Sequence, residues 1–417
     1  MTSAWRSFGA HFPGRRSMTP GRFQIILGAM AVVVRMAILA LLVFYVWHRL
    51  VRRTNLQGAA KGAATAAILV VIAPMAWVMA TGPDGAPRTG GALAWPAFIG
   101  WALFALAFLG LLVVDIGRLL VWTGRTIARR PAPTDPSRRQ ALARITGGVI
   151  STAVVGHVGY GVTRALGEPE IVDVPVTLPR LPRSLDGFTI VQLTDIHVGG
   201  TIGRDFITEL VARTNALGAD LIALTGDFVD GSVDELRDGV APLADLRAPH
   251  GVYFVTGNHE YYSGVTAWVE HFTSLGIRVL RNERVTISRD GGAFDLAGID
   301  DHGARRWGNG HGPDLARALA GRDPGRAVVL LAHQPRQVHA AAKHDVDLQL
   351  SGHTHGGQVW PWHYLVKLQQ GGLLAGRYTI GGTQLYVSRG PSYWGPPVRV
   401  GAPPEITRVI LRASSAA

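Results

Sequence analysis

The chain has 417 residues, with 41 Lys and Arg against 29 Asp and Glu and a formal net charge of +12. The excess positive charge lies in the first part, because residues 1–170 hold 18 basic and 5 acidic residues while the remainder holds 23 and 24. A nearly neutral second part speaks against binding to long nucleic acids, so no nucleic-acid partner is expected. The chain has no cysteine, which excludes disulfides and thiolate metal ligands.

Four apolar segments in the first part of the chain have the length that a bilayer core of roughly 30 Å requires. The fourth is weaker than the others, because it is rich in glycine and carries His157. The pattern predicts a transmembrane region over residues 1–165 and a lipid bilayer as its surroundings. The predicted spans are residues 23–47, 63–80, 92–114 and 145–162.

The distribution of basic residues predicts how these spans are oriented. Lys and Arg are frequent after the first and third spans, whereas the loop after the second span has only Arg88. Because basic loops stay on the cytoplasmic side, a multi-pass arrangement with residues 166 onward on the extracytoplasmic side of the cell membrane is expected. The N-terminal tail favours the opposite orientation and is outweighed by the larger asymmetry of the loops. Its basic residues are Arg6, Arg15, Arg16 and Arg22.

Two features lie between the membrane region and the rest of the chain. Arg138 and Arg139, just before the fourth span, resemble a twin-arginine export signal, although arginines before any span look similar. Whether residues 145–162 are a retained span or a processed signal therefore stays open. Residues 166–186 contain three prolines and are predicted to form an extended linker.

From residue 187 the chain alternates short apolar strands with helical segments, and later strands follow one another directly, which predicts a layered α/β sandwich. Five of these strands are followed by residue types that bind metals. Since ligands of such sheets lie at the carboxyl ends of the strands, the side chains are expected to converge on one edge. They are Asp195 and His197, Asp227 and Asp230, Asn258 and His259, His333, and His353 and His355.

In this order the residues read D-x-H, G-D-x-x-D, G-N-H-E, a single H and G-H-x-H, and at these positions the chain resembles the calcineurin-like metallophosphoesterase superfamily. The resemblance covers roughly residues 187–412, leaving a tail at 413–417. The endings His-Thr-His-Gly-Gly-Gln and Ser-Arg-Gly-Pro-Ser-Tyr-Trp are similar to the membrane-anchored YaeI/YkuE-like phosphodiesterase branch. The resemblance implies a four-layer α-β-β-α catalytic domain and hydrolysis of phosphoesters, most of all phosphodiesters.

The resemblance also implies two divalent metal ions, with Asp227 bridging them and Mn, Fe or Zn as candidates. His259 is implied not as a ligand but as the residue that protonates or stabilises the leaving oxygen. The first metal would be held by Asp195, His197, Asp227 and His355. The second would be held by Asp227, Asn258, His333 and His353.

Several residues near these motifs have two interpretations. Asp230 either orients a neighbouring histidine or caps a helix. Asp300, Asp301 and His302 follow a strand and either line the pocket or form an ordinary turn. Arg305 and Arg306 either meet a substrate phosphate or are solvated.

An apolar, aromatic stretch follows the last histidine of the motif. It is either a membrane-facing surface that brings a lipid-linked phosphodiester to the metals or a packed loop. Its residues are Trp360, Trp362, Tyr364, Leu365, Val366, Leu368, Leu373 and Leu374, and Trp394 lies in a later loop.

The sequence therefore predicts a membrane protein that carries a two-metal phosphoesterase domain outside the cytoplasm, acting on a lipid-linked or cell-envelope substrate. One alternative is a nucleotide phosphatase or nuclease. Another is a non-catalytic membrane scaffold or sensor, against which the complete set of ligand-type residues speaks. A transporter is a further alternative with little basis in so few spans. The sequence does not indicate the oligomeric state.

Overall fold

The structure, a computed structural model, describes residues 20–81, 93–130, 135–308 and 310–414. Part of the orientation prediction depends on Arg6, Arg15, Arg16 and Arg88, which lie outside these residues. The described part comprises a helical region followed by a mixed α/β domain.

The helical region contains four helices that are long and apolar enough to cross a membrane. Each extends beyond its predicted span at one end or at both, although α3 begins two residues after its predicted start. The fourth begins well before residue 145 because the Asp135 carboxylate accepts hydrogen bonds from the backbone N–H groups of Ser137 and Arg138. The helices are α1 (Pro20–Trp47), α2 (Gly58–Thr81), α3 (Ala94–Ile127) and α4 (Pro136–Ala165), and a π-helical turn (His48–Arg52) follows α1.

Polar contacts and close packing connect these helices. Asp115 on α3 pairs with Arg49 at 2.9 Å and accepts a hydrogen bond from the Tyr45 hydroxyl at 2.8 Å. Gly100 on α3 lies so close to α2 that an added Cβ would be 2.3 Å from the Val71 carbonyl oxygen. Small residues at such positions let helix backbones approach each other in a membrane.

The α/β domain contains two six-stranded mixed sheets. The first has the strand order β1-β12-β2-β3-β4-β5, and the second has the order β10-β11-β9-β8-β7-β6. The strands are β1 (Glu170–Leu178), β2 (Thr189–Leu193), β3 (Leu221–Leu224), β4 (Val252–Phe254), β5 (Arg278–Val279), β6 (Glu283–Arg289), β7 (Gly292–Gly298), β8 (Val328–Leu331), β9 (Leu348–Ser351), β10 (Gly376–Ile380), β11 (Thr383–Val387) and β12 (Glu405–Ala413).

Three apolar layers hold the sheets and their helices together, which confirms the predicted four-layer sandwich. Side chains alternate along each strand, so Ile190 of β2 packs between the two sheets while its neighbour Val191 packs under the helices. A third cluster covers the outer face of the second sheet. The helices are α5 (Arg204–Ala216), α6 (Val233–Val240), α7 (Asn258–Tyr262), α8 (Val265–Ser274), α9 (Leu315–Ala318), α10 (Val338–Ala341) and α11 (His363–Gln369).

The predicted linker over residues 166–186 is wrong for residues 170–178. These residues form β1, an edge strand that pairs in parallel with β12. Val174, Val176 and Leu178 are buried at alternate positions, so β1 belongs to the core of the domain. Pro175 is tolerated because an edge strand has one side without sheet hydrogen bonds.

The α/β domain packs directly against the helical region. The backbone N–H of Arg399 donates a hydrogen bond of 2.9 Å to the carbonyl of Gly161 near the end of α4. Val398 packs with Ala102 of α3 and Val158 of α4. The predicted ligand residues at the strand ends therefore belong to a domain that packs against the four apolar helices.

Candidate metal centre

All seven side chains that the sequence predicts as ligands lie at the common carboxyl edge of the two sheets. Parallel pairing of β2, β3 and β4 in one sheet and of β8 and β9 in the other brings these strand ends together. Five of the residues occupy the left-handed region of backbone conformation, with φ between 50° and 72°. Non-glycine residues in this region are uncommon and concentrate at functional sites. They are Asp195, His197, Asp227, His353 and His355.

One group of ligand-type side chains consists of Asp195, His197 and His355. The Nε2 atoms of the two histidines are 3.0 Å apart, and His355 Nε2 lies 3.6 Å from Asp195 Oδ1. All three side chains are buried, and each offers one atom within 4.8 Å of the others. The group has the composition and spacing of a site for a divalent cation.

A second group consists of Asp227, His333 and His353. Asp227 Oδ2 is 3.0 Å from His333 Nε2, which in turn is 3.2 Å from His353 Nδ1. His333 Nδ1 lies 2.8 Å from the Thr225 carbonyl oxygen, to which it donates, so Nε2 is the atom free to bind a cation. The same contact orients the imidazole ring toward Asp227.

Asp230 connects the first group to His259. Its Oδ1 lies 3.0 Å from His197 Nδ1 and 2.6 Å from His259 Nδ1, so one carboxylate orients two imidazole rings. The interpretation of Asp230 as an orienting residue is therefore the one that the geometry bears out. The His259 ring is held with Nε2 3.9 Å from Asp227 Oδ2.

Glu260 holds the backbone around Asp227. Its buried carboxylate accepts hydrogen bonds from the N–H groups of Asp227, Phe228 and Gly257 at 3.0, 2.7 and 2.7 Å. Gly257 has no room for a side chain, because an added Cβ would be 2.2 Å from Asp227 Oδ1. Gly352 is equally restricted by Asp195 Oδ2, at 2.0 Å. The glycines of the motifs thus let the backbone approach the carboxylates closely.

The electrostatic surroundings favour the metal-binding form at three ligand-type residues, His353, His355 and Asp227, but not at two others. Burial raises the pKa of Asp195, and at His333 burial lowers the pKa but the charge of Asp227 outweighs it and raises the pKa well above its usual value. Burial and the charge of His333 lower the pKa of His353 to about 3, and burial and His197 lower the pKa of His355 well below its usual value. Burial opposes ionisation of Asp227, but His333 and His259 outweigh it and lower the pKa of that carboxyl. Neutral imidazole and ionised carboxylate are the ligand forms.

The side-chain oxygen of Asn258 is a further group at the site that could bind a cation. This atom, Oδ1, is buried and has no hydrogen-bond partner among the described residues. A buried amide oxygen without a partner costs free energy, and a cation would remove that cost. Together with imidazole and carboxylate donors and no thiolate, the set fits borderline or hard divalent ions such as Mn, Fe or Zn.

Two residues that support the site, Ser392 and Arg399, were not predicted from the sequence, whereas Trp394 was predicted only as part of the aromatic surface. Ser392 Oγ donates to the carbonyls of Asp195 and Ile196 at 2.9 and 2.6 Å. The buried guanidinium of Arg399 donates to the His355 carbonyl at 2.9 Å and lies 3.2 Å from His355 Nδ1. The Trp394 ring is 5.6 Å from that of His259. All three lie in the stretch before β12, far from the motifs along the chain.

The pocket-lining interpretation of Asp300 and Asp301 is wrong. Both are buried, Asp300 pairing with Arg281 at 2.7 Å and Asp301 accepting from Gln334 at 2.9 Å. His302, the third residue of that set, is exposed. The two carboxylates therefore have structural partners.

Neither Arg305 nor Arg306 points to a phosphate site. Arg305 donates to the Pro313 carbonyl at 3.1 Å, and Arg306 donates to the Tyr262 hydroxyl at the same distance. Both side chains are therefore engaged within the domain's own loops.

Comparison with known proteins agrees with this geometry. The family model for calcineurin-like phosphoesterases matches residues 188–357. An uncharacterized metallophosphoesterase of Helicobacter pylori strain J99 is 38% identical over 278 residues, covering 66% of this chain and 73% of that protein. The chain belongs to the calcineurin-like metallophosphoesterase family, and the family membership predicted from the motifs is confirmed.

Other relatives resemble the chain over part of the membrane region as well. A Bos taurus transmembrane protein with metallophosphoesterase domain is 40% identical over 309 residues, covering 71% of this chain and 68% of its own length. The YkuE metallophosphoesterase of Bacillus subtilis is 32% identical over 289 residues, covering 67% of this chain and 99% of that protein. Among solved structures, Haemophilus influenzae NAD nucleotidase has a TM-score of 0.35 at 20% identity, covering 49% of this chain and 50% of that one.

Family membership and the clusters of ligand-type residues together support metal-dependent phosphoester hydrolysis and a centre of two metals. The four apolar helices and the relative described as transmembrane indicate membrane association.

Proposed function

We propose that the chain is a membrane-anchored phosphodiesterase with a dinuclear metal centre on the extracytoplasmic side. The observation that carries this proposal is the pair of groups described above, each with one carboxylate and two imidazoles whose ligand atoms lie within 4.8 Å of one another. Asp195, His197 and His355 would hold one cation, and Asn258, His333 and His353 the other. Asp227 would bridge them, since its Oδ2 lies 3.0 Å from His333 Nε2 and its backbone carbonyl accepts a hydrogen bond of 3.1 Å from the N–H of His197.

The two divalent cations, when bound, neutralise charge on the phosphoryl oxygens and lower the pKa of water toward neutrality. The residues of the chain position the reactants. In the reaction a water oxygen bonds to phosphorus, the bond to one ester oxygen breaks, and that oxygen takes up a proton and departs as an alcohol. His259 is placed to hold this proton on Nε2, because Asp230 fixes its Nδ1.

The preference for diesters over monoesters is supported by resemblance to the YaeI/YkuE-like branch. The extracytoplasmic position is supported by the packing of the helices. Arg144 near the start of α4 donates to the Thr54 carbonyl at 2.9 Å, so the basic loops after α1 and α3 lie at the same end of the bundle. The domain packs at Gly161, toward the opposite end of α4. If the basic loops lie on the cytoplasmic side, as they usually do, the domain would lie outside.

The test uses the full chain in detergent, stripped with EDTA and reloaded with Mn²⁺. We expect the stripped protein to be inactive and the reloaded protein to hydrolyse bis(p-nitrophenyl) phosphate faster than p-nitrophenyl phosphate. Asp227→Asn should lower kcat on the diester about a thousandfold, since several kcal/mol of transition-state stabilisation are lost.

Asp290→Asn is the matched control for this experiment. Asp290 has the same left-handed backbone conformation as Asp227, but its side chain is 80% exposed and lies on the turn between β6 and β7. The control should keep the activity of the unaltered chain. An Asp227→Asn protein with full activity would remove the bridging role, and a faster monoesterase reaction would remove the diester preference.

A further inference from the structure

An apolar groove runs from the metal centre along the membrane helix α3. It has a volume of about 230 Å³ and lies between α3, α11 and the loop before β12. At one end its lining includes His353 and His355 of the metal centre. Its other walls are largely apolar, and their principal side chains are Trp101, Ala105, Leu106, Trp362, Val366 and Trp394.

The distribution of polar and apolar residues along the groove matches an amphiphilic ligand. No Asp, Glu, Lys or Arg is among the described residues that line it, and its polar groups are concentrated beside the histidines. Trp394 lies where the groove meets the metal centre, because it lines the groove and its ring is 5.6 Å from the His259 ring. A ligand with its phosphate at the metal centre would therefore extend an apolar portion into the groove.

The surroundings of the groove indicate that this ligand comes from the bilayer. One wall is α3, which is long and apolar enough to cross a membrane. On α11, Tyr364, Leu365 and Leu368 are 65%, 52% and 79% exposed, next to the groove residues Trp362 and Val366. The exposed ring of Trp360 contacts His157 of α4. Exposed aromatic and aliphatic residues beside membrane helices are typical of a membrane interface.

One part of the predicted aromatic patch does not belong to this surface. Leu373 is buried against Val338, Leu385 and Val387, so it is a core residue of the second sheet. The exposed patch thus consists of α11 residues and Trp360.

We propose that the substrate is a membrane lipid phosphodiester of the glycerophospholipid class, bound with its phosphate at the metal centre and one acyl chain in this groove. The proposal rests on the proposed phosphodiesterase function and specifies its substrate. Apolar burial supplies binding free energy in proportion to the area removed from water, so an acyl chain would favour such lipids over soluble diesters. The groove selects the substrate, while the strand-end residues act on its phosphate.

The first test fills the groove. Ala105→Trp places a bulky ring in the α3 wall, and Ala153→Trp on an exposed position of α4 is the matched control. With Mn²⁺-loaded full chain, we expect Ala105→Trp to lower kcat/KM for dioleoylphosphatidylglycerol in mixed micelles at least tenfold. The rate on bis(p-nitrophenyl) phosphate should change less than twofold, and Ala153→Trp should affect neither. Equal effects of Ala105→Trp on both substrates, or on neither, overturn the proposal.

The second test measures binding without turnover. The His259→Ala full chain, which keeps the predicted ligands and is loaded with Mn²⁺, is placed in nanodiscs containing phosphatidylglycerol with a diazirine at the end of one acyl chain, and is then irradiated. We expect cross-links in residues 357–366 and 394–396, reduced at least fivefold by Ala105→Trp and unchanged by Ala153→Trp. Cross-links confined to the membrane helices outside residues 101–106, or no cross-links at all, overturn the proposal. If the chain hydrolyses neither ester, the phosphodiesterase function fails, while this binding result still decides whether the groove takes a lipid.

Discussion

At the scale of single residues, Asp230 shows how the site depends on side chains that need not touch a metal. Its carboxylate contacts the Nδ1 atoms of both His197 and His259, which fixes the tautomer of each ring and leaves Nε2 toward the site. Second partners of this kind orient metal-binding imidazoles and raise their basicity. Asp230 would therefore link metal affinity to the position of His259.

We expect Asp230→Ala to weaken metal binding and to lower kcat together, each by about 10–100-fold, because both rings lose the same partner. The measurement is Mn²⁺ affinity by calorimetry and turnover of bis(p-nitrophenyl) phosphate by the full chain. Asp238→Ala, at an exposed position on α6, is the control. Unchanged metal affinity with unchanged turnover would show that Asp230 is only a structural residue.

The clustering of the ligand-type residues could be predicted because each directly follows an apolar strand, and parallel strands bring their carboxyl ends to one edge. Ser392 and Arg399 could not be predicted in the same way. They lie in a Gly- and Pro-rich loop, and only the tertiary fold brings that loop against Asp195 and His355. For Leu373 the sequence left a membrane-facing surface and a packed loop open, because apolar character does not indicate which side of the loop faces the core, and the packed interpretation holds.

At the scale of elements, β1 was missed although its sequence contains a usable pattern. Its buried residues alternate with exposed ones, which is typical of a strand with one face on a core. The prolines around it favoured the linker interpretation. Pairing with β12 depends on residues more than two hundred positions away, and no local pattern indicates such a partner.

The ion pair between Arg49, in the turn after α1, and Asp115 of α3 leads to a prediction about the stability of the helical bundle. The Arg49 side chain is 6% exposed and that of Asp115 is 29% exposed. Asp115→Leu should lower the Tm of the detergent-purified chain, because it leaves a buried guanidinium without its carboxylate. The double variant Arg49→Met with Asp115→Leu should regain most of the loss. A single variant as stable as the unaltered chain would show that the pair does not hold these helices together.

At the scale of the whole molecule, the proposed extracytoplasmic position of the domain depends on how the helices of the bundle are arranged. The ends of α1 and α3 that carry basic loops lie away from the domain, while the end of α4 leads directly into β1. This arrangement follows from antiparallel helices joined by short loops, and it makes the orientation testable without perturbing the site.

The absence of cysteine from the sequence allows single cysteines to report on topology. In intact spheroplasts, a membrane-impermeant maleimide should label Asp290→Cys in the domain, whereas Arg129→Cys in the loop after α3 should react only after permeabilisation. Labelling is measured by the mass shift of the purified chain. The reverse pattern would place the domain in the cytoplasm.

The binding of two cations by residues from both sheets is tested most directly by anomalous X-ray scattering at the manganese edge, using crystals of the full chain grown with Mn²⁺. We expect two peaks about 3.5–4 Å apart, one on each side of the Asp227 carboxylate. One peak should lie among Asp195, His197 and His355, and the other among Asn258, His333 and His353. A single peak, or peaks away from these side chains, would contradict a dinuclear centre bridged by Asp227.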